Sequence, residues 1–503
     1  MISLPIAWHE ELQQRRRSLL VGGAILAIVL LVTLVTVEQS LWVIVGMVAI
    51  WTVAALLTWP ETATLLVIFI LYTNAAANAV EFHGVPYLVG ASFPALLLLP
   101  LTTYLVIRRA PIVIDTPFLL LVAFWGVQVA SILFVERTDR VGEATGRILT
   151  FLVEGVGIYF LLLNVVRDRR TLRYAVWCLV LAGLLMGALS FYQQATESFD
   201  QNYGGFAQMS NTAFGTGEET LQGEVEQPRL AGPIGEQNRY AQIMLMLVPL
   251  ALFRVWSERS LLLRGLGGIA ALFALIGMGL TFSRGALVGL AGMLLVMVIL
   301  RYVKWYQIVM IALVLFGLIQ AVPNLGGRLV KLENLSPTAM LQSDVQSGLE
   351  GTDGSTQNRV AQQFTALYMF LDHPLLGVGT GFYRVNYHYY ASLVGMGVKS
   401  EERESHTLYL GLAAENGMLG LGCFLAFLYL ILHNLVQVRR SSLADNPQLA
   451  DLATSFFFAI IGYLGASIFL HLAFIRFFFL ILGLAGAAYQ ISKTEVQITK
   501  ENA

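Results

Sequence analysis

Charge is what this sequence most lacks. Of its 503 residues only 13% are Asp, Glu, Lys or Arg, while 57% are hydrophobic; a soluble globular chain carries about 25% charged residues. So few charges cannot clothe a soluble surface of this size, which excludes a soluble enzyme and a nucleic-acid reader. Cysteine is nearly absent as well. The two present, Cys178 and Cys423, lie inside apolar runs, where a free thiol behaves as a small hydrophobe. They can build neither a disulfide framework nor a metal site. A cleavable signal peptide is not expected either, because the first apolar run has full spanning length and another follows at once.

What is present in abundance is uninterrupted apolar sequence, in runs near the ~20 residues that a helix needs to cross a membrane. The pattern predicts an all-α polytopic membrane protein with about fourteen spans (12 to 14): 18–37, 40–59, 62–81, 87–107, 116–135, 148–166, 174–194, 239–256, 265–282, 286–304, 306–322, 407–432, 452–470 and 475–490. The pair 62–81 and 87–107 is the least regular, since Asn74, Asn78, Pro94 and Pro100 interrupt it. His471 and Arg476 alone split the last pair. The chain then divides into N-terminal helices (1–194), a first long loop (195–238), central helices (239–322), a second long loop (323–406) and C-terminal helices with a tail (407–503).

Basic residues of short loops favour the cytoplasm. Every second loop here is basic: Arg15 to Arg17, Arg108 and Arg109, Arg167 to Arg173, Arg254 to Arg264, Arg301 and Lys304, Arg439 and Arg440, Lys493 and Lys500. The intervening ones hold only Arg137, Arg140, Arg147, Arg284 and Arg476. Both termini are therefore expected in the cytoplasm and both long loops outside. The first loop is acidic and Gly-rich, and is expected to be largely irregular. In the second, Val360, Phe364, Leu367 and Leu371 recur at helical spacing from Ser355 to Asp372. They predict an amphipathic helix along the outer surface or over a cavity, ended by His373-Pro374.

Few residues in such a chain can carry chemistry. Arg284 sits between two apolar runs with almost no loop, and an Arg at that depth is costly unless used, although one that snorkels to headgroups is also consistent with the position. Arg359, expected in the first turn of the amphipathic helix, gains nothing from the dipole there unless an anion shares the site. Arg229 lies in the loop before Asn238. His406 stands where the second loop re-enters the membrane, and a neutral imidazole can act as a general base; a histidine without chemistry fits equally. Glu154 and Glu415 are carboxylates two turns into spans and need a partner or a watery cavity. Gly377-Val378-Gly379-Thr380-Gly381 has no preceding strand and reads as a turn cluster rather than a phosphate loop. The topology brings Arg229, Arg284, Arg359 and His406 to one face, and guanidinium forks are suited to phosphate oxygens.

Four stretches together resemble the O-antigen ligase / O-antigen polymerase superfamily of bacterial membrane glycosyltransferases. They are Arg229-x-x-Gly232-x-x-Gly235-x-x-Asn238, Thr281-Phe282-Ser283-Arg284-Gly285-Ala286, Asn358-Arg359 leading to His373-Pro374-Leu375-Leu376-Gly377-Val378-Gly379, and His406-Thr407-Leu408-Tyr409-Leu410 running to Glu415-Asn416-Gly417-Met418-Leu419-Gly420. The resemblance covers about 225–425. It implies a GT-C-like fold in the bacterial inner membrane and transfer of a glycan from undecaprenyl diphosphate to an acceptor hydroxyl at its outer face. The implied chemistry is inverting and uses no cofactor or metal; the implied partners are a lipid-linked donor, a glycan or lipid acceptor and membrane lipids, with no nucleic acid. Carried over by motif, His406 is the base, Arg284 and Arg359 hold the diphosphate, Arg229 assists, and Glu415, Asn238 and Ser283 support. Thr407 after the histidine and Gln237 before Asn238 depart from the ligase pattern, so ligase and polymerase both stay open. Transport of an inorganic ion such as bicarbonate, or of a lipid-linked sugar, is the alternative from another class.

Overall fold

The computed structural model describes residues 58–133, 135, 140–210, 214–220, 223–321, 354–394, 404–472 and 475–501. The expected spans 18–37 and 40–59 fall almost wholly outside these, as do Arg137 and the whole of 323–353.

The described chain is a helical bundle with almost no sheet. In order it forms α1 (Pro60–Tyr72), α2 (Ala75–His83), α3 (Phe93–Ile107), α4 (Thr116–Ile132), α5 (Val141–Val165), α6 (Arg169–Ala195), α7 (Gln237–Ser257), α8 (Leu261–Gly279), α9 (Arg284–Ile299), α10 (Trp305–Ala321), α11 (Gly354–Asp372), α12 (Tyr383–Val394), α13 (Leu408–Ser442), α14 (Pro447–Ala466) and α15 (Ile475–Glu501). Among the described residues, seven of these helices are long and apolar enough to cross a membrane, or eight if α1 and α2 form one span bent by 56°. The bend falls where Asn74 takes a left-handed conformation (φ 60°), and α3 mixes 3₁₀, α and π turns, so the least regular pair in the sequence is also the least regular in the fold.

Several boundaries differ from expectation. Helix α5 begins at Val141 rather than 148, so Arg147 stands inside a helix and not in a loop. Helix α14 ends at Ala466 instead of 470, leaving a short non-helical turn before α15. Helix α13 runs 35 residues to Ser442, well past the expected 432. The first long loop is also less irregular than expected. It holds a hairpin of β2 (Phe214–Thr220) and β3 (Gly223–Gln227), and a short pairing of β1 (Gln208–Met209) with β4 (Leu230–Gly232).

The core is a continuous apolar cluster in which α7 is buried along nearly all its length. Aromatic pairs knit the C-terminal helices, as where Tyr463 stacks on Phe478 with ring centroids 3.9 Å apart. One end of the bundle is tied by ion pairs: Arg173 and Arg254 to Glu258, Arg169 to Glu495, with Ser257 donating to Asp451. These residues come from the basic loops of the sequence. The opposite end carries the candidate site.

Helix α11 spans Gly354–Asp372, within a residue of the expected bounds. Gln362, Thr365, Ala366 and Met369 are buried against α12 and α13, whereas Phe364 (38%) and Leu371 (62%) are exposed. Phe364 and Leu371 of the stripe read from the sequence thus face outward.

Candidate active site

Three helices begin at the same place. Glu236 caps α7 by accepting from the Asn238 and Arg239 backbone amides. Ser283 precedes α9 and Thr407 precedes α13, and neither side chain caps its own helix. All three starts meet the turn after α14. Ser467 O accepts from the Leu408 amide at 2.9 Å, and Ser467 Oγ accepts from Gln242 of α7 at 2.7 Å. A Cβ on Gly285, in the first turn of α9, would lie 3.3 Å from the Phe469 Cβ. Helix N-termini carry partial positive charge; the Glu236 carboxylate already meets that of α7, and the starts of α9 and α13 beside the same turn are the ones that favour a further anion.

The side chains reinforce that field. Arg229 donates from Nε to the Thr281 carbonyl at 2.9 Å, and its Nη2 is 3.4 Å from Asn238 Oδ1. Ser283 Oγ donates to the same Asn238 oxygen at 2.9 Å. Three of the residues singled out in the sequence, from two separate motifs, are therefore in direct contact. Arg284 follows as the first, half-buried residue of α9. Phe282 and His406 both hold left-handed backbone (φ 52° and 48°). For bulky residues this is strained, and strain of this kind gathers at functional sites.

His406 reaches the cluster through a residue that sequence reasoning had set aside. Its ring lies against His471 with centroids 5.9 Å apart and planes at 74°. Arg239 of α7, which is 3% exposed, donates from Nη2 to His471 Nδ1 at 2.8 Å and from Nη1 to the His471 carbonyl. Burial and the Arg239 charge push the His471 imidazole well below its ordinary value. Neither Arg239 nor His471 was assigned a role from sequence. The signal for Arg239 existed, since it is a charge within a spanning segment, but it lies at the segment's very edge. For His471 the only clue was its place as one of two polar breaks between the last two spans.

The remaining candidates are arranged as follows. Glu404, two residues before His406, pairs with Arg147 at 3.1 Å and Arg384 at 3.6 Å. Glu154 finds its partner in Arg476 at 2.9 Å, which also donates to Asn74. Glu415 accepts from the Tyr383 amide at 3.3 Å and lies within electrostatic reach of Arg147, so it orients the second-loop segment. The Arg359 side chain lies outside the described residues. Because α11 starts at Gly354, position 359 is in the second turn and not, as expected, the first; the argument from orphan first-turn amides does not apply to it. That argument belongs to Arg284.

The glycine cluster is a turn, as its sequence suggested, and it is bolted to a break in α13. At the break Gly417 takes φ 63°, ψ −164°. The backbone carbonyls of Ala414 and Glu415, freed from the helix ladder, accept from the Val378 and Gly379 amides at 2.8 and 3.1 Å. Thr380 Oγ1 donates to Asn416 Oδ1 at 2.7 Å. A Cβ at Gly377 (φ 72°) would sit 2.4 Å from the Glu415 carbonyl carbon, so only glycine fits.

Residues 269–425 match a protein family described as O-antigen ligase. No curated relative matches the chain. The stretch from mid-α8 to mid-α13, which contains Ser283, Arg284, Arg359, His406 and Glu415, is thus the part of the chain that is similar to the O-antigen ligase family of membrane proteins.

Proposed function

We propose that this chain is an inverting, metal-independent glycosyltransferase. It takes an oligosaccharide or polysaccharide from undecaprenyl diphosphate and joins it to an acceptor hydroxyl at the outer face of the inner membrane, as a polymerase or a ligase. The observation that carries the reading is the meeting of the starts of α7, α9 and α13 at one turn, which brings Arg239 onto His471 beside His406 and sets Arg229, through Asn238 and Thr281, next to the start of α9 at Arg284.

In this scheme the sugar C1–O bond to the diphosphate breaks, and the electron pair leaves on the bridging oxygen. Arg284, with Arg359 and Arg229, stabilises the charge that grows there; one preorganised donor of this kind contributes about 3–4 kcal/mol to a transition state. His406 accepts the proton of the acceptor hydroxyl as its oxygen bonds to C1 from the opposite face. Guanidinium groups stay charged at every working pH, so they can do the work a cation otherwise would. The basic opposite end of the bundle then faces the cytoplasm.

The test is direct. Purified protein is given a diphosphate-linked oligosaccharide and an acceptor, and product length is measured. A ladder identifies a polymerase, and a single block on a different lipid identifies a ligase. His406→Ala, Arg284→Ala and Arg359→Ala should fold and abolish transfer; retained transfer by His406→Ala removes the proposed base. One feature, the broken span α1–α2, is also found in transporters. Ion flux in proteoliposomes free of donor lipid would favour that reading instead.

A further inference from the structure

A guanidinium has donors and no lone pair. The 2.8 Å contact between Arg239 Nη2 and His471 Nδ1 is therefore a hydrogen bond only if Nδ1 carries a lone pair. A neutral histidine bound in this way keeps its proton on Nε2. Arg239 also grips the His471 carbonyl, so the residue is held at backbone and ring by one side chain. That side chain is itself fixed, being buried at the start of α7 with Glu236 3.6 Å away and Gln242 3.4 Å away. The held ring stands against His406 on the turn that joins α7, α9 and α13.

We propose that Arg239 and His471 form a positioning pair for the base: Arg239 fixes His471 as the neutral Nε2–H tautomer, and that ring braces the imidazole of His406. The role of His406 as base rests on the transferase reading; the tautomer and the brace do not. His406 itself sits in left-handed conformation just outside α13.

Neutrality of His471 matters because of what surrounds it. Arg239 faces it from α7, Arg147 from α5 and Arg384 from α12, with His406 alongside. Glu236 and Glu404 lie next to these arginines, and Tyr463 of α14 borders Arg239. A proton on His471 would add a further positive charge beside the base and break the bond from Arg239. It would also hold His406 in the wrong place, and a misplacement of about 1 Å at a reacting group costs on the order of 100-fold in rate.

The experiment has two arms. In the first, protein labelled with ¹⁵N-histidine is followed by NMR from pH 5 to 8, with His471 assigned by its loss in His471→Asn. The expected spectrum shows Nδ1 unprotonated and Nε2 protonated throughout, and the titration of His406 moves when His471 is replaced. A proton on Nδ1, an ordinary titration of His471 near pH 6.5, or an unmoved His406 overturns the proposal. In the second arm His471→Asn, which keeps an acceptor for Arg239 but no ring, is assayed for transfer. The expected result is a kcat about 10–100-fold lower, with the donor KM unchanged and the acidic limb of the pH–rate profile displaced. Wild-type kcat with an unchanged profile overturns it. Should the wild-type protein transfer nothing from a diphosphate-linked donor, the transferase reading falls, and the pair still stands or falls on its spectrum.

Discussion

Glu258 is the clearest place to test how the bundle is held. Its side chain is 2% exposed and accepts from Arg173 through Nε at 3.0 Å and through Nη2, from Trp177 Nε1 at 3.1 Å and from Arg254 Nη1 at 3.3 Å. One carboxylate thus ties α6 to the end of α7. In Glu258→Gln a single oxygen replaces two and an amide turns its own donors toward two cations. Breaking a buried pair from one side costs about 3–5 kcal/mol. At roughly 2 °C per kcal/mol for a large chain, the midpoint of thermal unfolding in detergent should fall by about 6–10 °C. Arg254 is a different case, because among the described residues its Nε and Nη2 reach no acceptor although the side chain is buried. Arg254→Met removes one of the two cations and leaves Glu258 paired with Arg173, so it should lower the midpoint by less than Glu258→Gln does. The double variant should recover part of the loss seen in Glu258→Gln.

The pH dependence of that loss follows from the same contacts. Burial alone would raise the Glu258 carboxyl, but the bonds from Arg173 and Trp177 and the Arg254 charge outweigh it and hold it below the usual range. A lowered carboxylate contributes stability above its unfolded value and loses it as pH falls through the folded one. The gap between wild type and Glu258→Gln should stay constant above about pH 5 and close below about pH 4.5. A gap under 2 °C at pH 7, or one that widens in acid, refutes the reasoning.

Three further outcomes are expected. Thr380→Val removes the donor to Asn416 and the hydroxyl contact with Ser131 without changing shape, and should cost about 1–3 kcal/mol, read as a lower unfolding midpoint. Gly377→Ala drives a methyl into the α13 backbone at the Gly417 break and should abolish the folded second-loop segment, seen as protease cleavage between α11 and α13; full protection would refute the packing described. Asn74→Ala deprives Arg476 of an acceptor and the Pro233 carbonyl of a donor, and should speed hydrogen exchange at the α1–α2 bend while leaving Glu258-dependent stability unchanged.

Much of the fold was legible because apolar run length is a one-dimensional property. The spans expected from 116 to 322 and from 407 to 490 each overlie a described helix, although α4, α9 and α10 are too short to be among the seven candidate spans, and α13 and α15 run about ten residues past their expected ends. Breaks inside helices were harder to see. Gly417 interrupts α13 because the carbonyls there bond to Val378 and Gly379 almost forty residues upstream, a pairing that no local pattern reveals. Motif reading found Arg229, Asn238 and Ser283, which the structure joins in direct contact. It missed Arg239 and His471 because the significance of each lies in the other, 232 positions away. The spacing of Val360, Phe364, Leu367 and Leu371 showed that α11 is amphipathic, but a stripe of large apolar residues does not say whether protein or lipid covers it.

The turn after α14 has a consequence for how this architecture can be divided. The matched stretch, 269–425, ends before that turn and starts after Arg229, Asn238 and Arg239. A fragment cut to those limits would keep His406 and Arg284 yet lose the scaffold on which they meet. Domain swaps between relatives must accordingly carry the flanking spans along, and a graft of the shared segment alone should yield an inert protein.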